Sequence, residues 1–205
     1  MTKRKLPLLT AQALHGVKAH QTELEHQFRT GVETSDLDVT CRKKCVHCCH
    51  HPISISVLEG ALLFLWLEKN RKWTSTLKRQ LEKHSTQVMG LPTETWMLMS
   101  IPCPLLEDGL CRAYKARPFT CRTIFSSGVP DLCKPEQFTT RTPIIPRLPE
   151  LATFQEKEKS YHDGSAYYTI PISSAILLGE RLARGTLEVS GIGPAILARY
   201  LEAYQ

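Results

Sequence analysis

The sequence predicts a mainly α fold: a small helical domain with cysteine-rich loops, followed by a helical C-terminal tail. Three observations predict it. Apolar residues recur at helical spacing over 11–29 and 73–88. Ser56 and Glu59 form an S-x-x-E capping box ahead of an apolar run. All eight cysteines fall between positions 41 and 133, and none follows.

Taken in order, residues 11–29 read as an amphipathic helix with Leu14, Val17, Leu24 and Phe28 on one face and Thr10 as its N-cap. A polar stretch through Gly31, Ser35 and Asp36 leads to the first cysteines. The helix that starts at Ser56 is apolar nearly all round from Ala61 to Leu67, the pattern of a buried core helix. A third helix is expected from Trp73 to Val88, with Trp73, Leu77, Leu81 and Val88 on one face and Gly90 and Pro92 ending it. Residues 101–134 are rich in Pro, Gly and Cys and read as loop with short turns. Pro135, Pro143, Pro146 and Pro149 mark a stiff, extended connector. Two further helices are expected, near Ser174–Arg184 and Pro194–Tyr204. The expected organisation is a lead-in over 1–36, a cysteine-cluster domain over 37–134, a connector over 135–150 and a helical tail over 151–205. The chain carries no internal repeat.

Composition bounds the function classes. With 205 residues the chain is long enough for one well-cored domain, and 42% apolar with 22% charged residues is ordinary for a globular protein. The longest apolar run, Ala61–Leu67, is far short of the roughly 20 residues that a membrane span needs. The basic start Met1–Lys5 is followed by Leu6, Leu8 and Leu9, but Pro7, Thr10, Gln12 and His15 interrupt it, so a leaderless cytoplasmic protein is expected. The formal charge of +6 permits an acidic or nucleic-acid partner without demanding one. No run of five basic residues occurs, so a solvated basic surface without a nucleic-acid partner is expected, and a protein partner is left open.

In a reducing cytosol this cysteine pattern favours metal over disulfides. The first group is Cys41-x3-Cys45-x2-Cys48-Cys49, and Cys103, Cys111, Cys121 and Cys133 follow. Spacings of two or three residues let a tight loop aim two thiolates at one ion, about 2.3 Å from it for zinc. All eight are candidate ligands, to zinc or to iron, a four-iron, four-sulfide cluster being one form of the latter, and the loops are expected to organise around that centre. Adjacent Cys48 and Cys49 diverge if the backbone is extended, so they could serve two centres, or one could stand behind the ligands. A metal with four thiolates carries about −2. Burying it calls for nearby cations or N–H donors. Arg42, Lys43, Lys44, Arg112, Arg117 and Arg122 flank the cysteines, and Arg117 and Arg122 are the candidates for backing the thiolates. His47, His50 and His51 beside the first group could also ligate, although eight thiols already suffice. His15, His20, His26, His84 and His162 are expected to be exposed, and Glu59 to cap its helix rather than bind metal.

These residues resemble the YkgJ-type cysteine-cluster proteins, whose CxxCxxCC motif is associated with zinc or iron chelation. The likeness runs from Cys41–Cys49 through Ile53–Glu59 to Cys103-Pro-Leu-Leu, Cys111-Arg-Ala-Tyr114, Arg117-Pro118 and Cys121-Arg122, covering about 37–134. The first gap has three residues rather than two, and Ala113 stands where the family prefers Ile. The resemblance implies metal chelation and a link to flagellin lysine N-methylation, an enzyme with a similar cysteine motif. That transfer needs a site for S-adenosylmethionine, and no glycine-rich strand-to-helix turn supplies one here.

Two other readings compete. Cys41-x3-Cys45-x2-Cys48 has the spacing of the radical S-adenosylmethionine motif, but that fold alternates strands and helices, whereas residues 56–89 read as two helices in succession. Val189-Ser-Gly191-Ile-Gly193-Pro194 resembles the hairpin of helix-hairpin-helix modules, yet Arg199 is the first basic residue after it, and a turn opening a packing helix is the favoured reading.

Overall fold

The computed structural model describes residues 8–34, 39, 41, 44–123, 125–126, 133, 143–144 and 169–203. Within these the chain is mainly helical: α1 (Leu8–Glu33), α2 (Val57–Lys69), α3 (Ser75–Val88), α4 (Thr93–Met99), α5 (Phe119–Thr123), α6 (Ile172–Ala183) and α7 (Ile192–Ala203). The strands are two residues long and pair antiparallel: β1 (Ser54–Ile55) with β6 (Ile170–Pro171), β2 (Leu106–Glu107) with β3 (Leu110–Cys111), and β4 (Phe125–Ser126) with β5 (Pro143–Ile144). No helix among the described residues is long and apolar enough to cross a membrane.

Helix α2 is the centre of the core. Its start is fixed as the sequence predicts: Ser56 Oγ accepts from Glu59 N–H at 3.1 Å, and Glu59 Oε2 accepts from Ser56 N–H at 3.2 Å. Val57, Leu58, Ala61, Leu63, Phe64 and Leu67 are all buried, as an all-round apolar helix must be. Against α2 lies α6, and the two backbones nearly touch. A Cβ on Gly60 would stand 2.1 Å from the Ala175 carbonyl oxygen, and one on Gly179 would stand 2.2 Å from Ala61 N. Glycine inside a helix costs about 1 kcal/mol relative to alanine. This close approach is what the two glycines provide in return. Ile172 N–H then donates to Ile53 O at 2.9 Å, continuing the β1–β6 ladder into the helix pair. One apolar cluster therefore draws on both Leu58–Leu67 and Ile170–Ile196.

The other helices pack around this pair. Leu14, Val17, Leu24 and Phe28 of α1 are buried as expected, the first two in the main core and Leu24 against Phe119 of α5. Helix α1 is longer than the 11–29 expected from its pattern; Thr10 lies inside it and is buried rather than capping it. Helix α3 starts at Ser75, because Thr74 Oγ1 accepts from Leu77 N–H at 3.1 Å, and Trp73 sits just outside, edge-on to Phe64 with ring centroids 4.9 Å apart. Helix α4 was not legible in the sequence. Only Trp96 turns inward while Leu98 is 85% exposed, so no apolar stripe announces it. Residues 57–88 thus form two successive helices without strand alternation. Val189 of the 3-10 turn Val189–Gly191 and Ile192 and Ile196 of the helix that follows are buried, so the Gly-Ile-Gly segment opens a packing helix. The connector expected at 135–150 lies outside the described residues except Pro143–Ile144, and Arg42, Lys43, His162 and Tyr204 also lie outside them.

His84, expected to be exposed, is instead buried, because its Nδ1 has a partner: Ser173 Oγ at 2.8 Å. Beside it Ser85 Oγ meets Ser174 Oγ at 2.6 Å and accepts from Arg199 Nη1 at 3.0 Å. This polar seam joins α3, α6 and α7. Burial pulls the His84 imidazole down from 6.5 to about 4.

Two stability predictions follow from this packing. Gly60→Ala is expected to cost about 3 kcal/mol in urea denaturation, because backbone rather than a flexible side chain blocks the added methyl. His84 binds its proton more readily in the unfolded chain. Its contribution is therefore fully present above pH 6.5 and is lost as pH falls to about 4, a loss of order 3 kcal/mol. In denaturation series between those pH values, His84→Gln is expected to flatten the profile.

Candidate metal centre

Three short elements bring the cysteines together. Residues His47–His50 form a 3-10 turn in which Cys49 N–H donates to Val46 O at 2.9 Å. In such a turn successive side chains diverge by about 120° rather than to opposite faces. Cys48 and Cys49 consequently face the same cavity, and their thiols are hydrogen-bonded to each other. Cys103 is tied to this turn by its own N–H, which donates to Cys49 O at 2.6 Å. The β2–β3 hairpin then presents Cys111. Its two turn residues, Asp108 (φ 49°) and Gly109 (φ 69°), are both left-handed, the geometry that an Asp-Gly pair favours in a two-residue hairpin. That Asp-Gly signal was present in the sequence, although the stretch reads there as loop. Cys121 comes from α5.

Cys45, Cys48, Cys49, Cys103, Cys111 and Cys121 line one cavity of about 470 Å³. Cys41 is exposed and Cys133 is buried, and neither lines that cavity. Cys41 is the first thiol of the radical-type spacing, so the structure does not gather that triplet around the cavity. His51 Nε2 lies 3.1 Å from Cys133 O, and His47 and His50 do not line the cavity. None of the eight cysteines is in a disulfide. Among the described residues no three Cys, His, Asp or Glu side chains are drawn close enough to hold an ion as they stand; the six thiols share a cavity rather than a point.

The chemistry of the donor set fits a metal. A backbone N–H points at each of two sulfurs two residues back, Leu105 toward Cys103 and Ala113 toward Cys111, and both favour the thiolate. Burial works against them, pushing Cys103 up to about 12 and raising Cys111 and Cys121. Cys49 is raised first by its hydrogen bond with Cys48 and then by burial. These groups would be neutral thiols at pH 7 on their own, and a coordinating cation deprotonates a thiol outright.

The flanking cations take different places. Arg117 lines the cavity, stacks over the Tyr114 ring at 4.0 Å, and its charge favours the thiolates of Cys111 and Cys121. Arg122 does not line it. It donates to Glu25, to Arg117 O at 2.5 Å and to Lys115 O at 3.1 Å, which fastens α5 to α1. Lys72 is a cation that sequence reading missed, because it follows α2, far from any cysteine in the chain. Its ammonium lies 5.3 Å over Trp66, donates to Arg112 O at 2.8 Å and favours the Cys111 thiolate.

Glu59 has a second task beyond its cap. The buried carboxylate accepts from Phe119 N–H at 2.9 Å and from Gln21 Nε2 at 2.6 Å, bracketing α1, α2 and the helix that carries Cys121. Burial raises its pKa, and the donors and the Arg122 charge oppose that shift. Glu59→Ala strands these donors and is expected to cost about 2–3 kcal/mol in chemical denaturation, with Glu59→Gln costing less because one carbonyl oxygen remains.

Comparison with known proteins identifies the family. A family model described as "CxxCxxCC: Putative zinc- or iron-chelating domain" matches residues 40–159, more than half of the chain. No curated protein and no solved structure gives a significant match. The six cysteines that line the cavity all lie within the matched stretch, and the chain belongs to the CxxCxxCC family.

Proposed function

We propose that this protein chelates zinc or iron through thiolates drawn from Cys45, Cys48, Cys49, Cys103, Cys111 and Cys121. The observation that carries the reading is their convergence on one cavity from the His47–His50 turn, the β2–β3 hairpin, α5 and the loops that carry Cys45 and Cys103. Arg117 and Lys72 back the thiolates with positive charge, and Arg122 acts at one remove by fastening α5. Cys41 and Cys133 stand outside the ligand set. Metal binding is also structural in this reading. Apparent binding energies of roughly 10–16 kcal/mol for a structural zinc match or exceed the roughly 5–15 kcal/mol of net stability in a typical domain.

A second reading is an iron–sulfur centre that serves catalysis. It is favoured by the size and openness of the cavity, which leave room beside the metal for a reactant. Protein substrates, as in flagellin lysine N-methylation, belong to this second reading.

Elemental analysis and a visible spectrum of anaerobically purified protein test both. Zinc in a colourless protein supports a closed chelating site, whereas iron with sulfide and absorption near 400 nm supports the cluster. Cys45→Ser, Cys103→Ser and Cys121→Ser are each expected to weaken metal binding by at least about tenfold, a loss of about 1.4 kcal/mol. Cys41→Ser and Cys133→Ser should retain the parental stoichiometry. Chelation is expected to lower the melting temperature sharply; an apo form that melts like the loaded protein would contradict the structural role.

A further inference from the structure

The cavity that gathers the thiols has more room than an ion needs. An ion held about 2.3 Å from its sulfurs draws those thiols inward and takes up part of the cavity, while the lining also includes residues that are not metal donors. A cavity of about 470 Å³ falls instead within the roughly 300–1,000 Å³ typical of small-molecule sites. Its walls are apolar, with Ile53, Leu105 and Ile172 among them. Two of its lining residues, Leu110 and Tyr114, remain 50% and 41% exposed, so its open edge presents apolar and aromatic surface to solvent.

Charge narrows the class of ligand. Lys44, Lys72, Arg112, Lys115 and Arg117 line the cavity, and among the described residues no Asp or Glu does. Arg112 is held by Glu107. Arg117 and Lys72 face the thiolates, and two positive charges balance the charge of about −2 on a metal with four thiolates. Lys44 and Lys115 are surplus to that balance, and among the described residues neither ammonium meets a carboxylate. Lys44 also holds a left-handed backbone (φ 72°), strain of the kind that clusters at functional sites.

We propose that the cavity takes, beside the metal, a small organic anion: a carboxylate or phosphate on an apolar or aromatic body. Lys44 and Lys115 meet the oxyanion, and Leu110 and Tyr114 receive the body. This inference rests on the chelation reading above.

The test titrates the zinc-loaded full chain with 8-anilinonaphthalene-1-sulfonate, an aromatic anion that reports an apolar site. Saturable binding of about one probe per chain is expected. The double variant Lys44→Gln/Lys115→Gln should weaken it about tenfold while zinc content and melting temperature stay unchanged. Displacement by benzoate identifies a carboxylate ligand, and displacement by phenyl phosphate alone identifies a phosphate. Unsaturable binding, equal affinity in the double variant, displacement by neither anion, or displacement by benzylamine overturns the inference. A chain that takes up no metal overturns the chelation reading and this one with it. A zinc-loaded chain that ignores the probe overturns this one alone.

Discussion

The close contact of α2 with α6 at Gly60 and Gly179 is the constraint on which the rest of the structure depends. It seats Ile170–Ile172 beside Ser54–Ile55 and places Ile53 and Ile172 together in the wall of the thiol cavity. With α2 fixed, its first turn presents Glu59 to α1 and α5, and its far end delivers Trp66, Asn70 and Lys72 to the cavity. Helix packing thus reaches the candidate centre from two directions. Polar partners complete the frame: the His84–Ser173 and Ser85–Ser174 pairs hold α3 to α6, and Glu180 adds ion pairs to Lys78 and Arg184.

Electrostatics at the cavity is a balance between burial and a small number of donors. Burial and mutual repulsion favour neutral thiols, while two backbone N–H groups, Arg117 and Lys72 favour thiolates. The donors are too few to ionise the cluster alone, and a bound cation supplies the missing stabilisation. The same arrangement couples metal to fold, because the turn at His47–His50, the β2–β3 hairpin and α5 are short elements that thiolate–metal bonds would hold together.

Much of this was legible in the residues, for identifiable reasons. The capping box at Ser56 and Glu59, the buried run of α2 and the apolar stripe of α1 depend on local pattern, and local pattern is what a sequence displays directly. The cysteine spacing likewise pointed to a shared centre. What escaped were relations between distant segments. Nothing near Lys72 in the chain marks it as a neighbour of Cys111, and only the folded chain shows that Arg122 turns to Glu25 while Arg117 faces the cavity. His84 reads as exposed in the sequence because its partner Ser173 lies 89 positions away. The divergence expected of Cys48 and Cys49 presumed extended backbone, and the 3-10 turn removes that premise.

The central claim is that thiolates from separate elements hold one metal centre. X-ray absorption at the metal edge of the purified protein measures this most directly. The account predicts an inner shell made of sulfur, at about 2.3 Å if the metal is zinc. An inner shell of nitrogen and oxygen would contradict it.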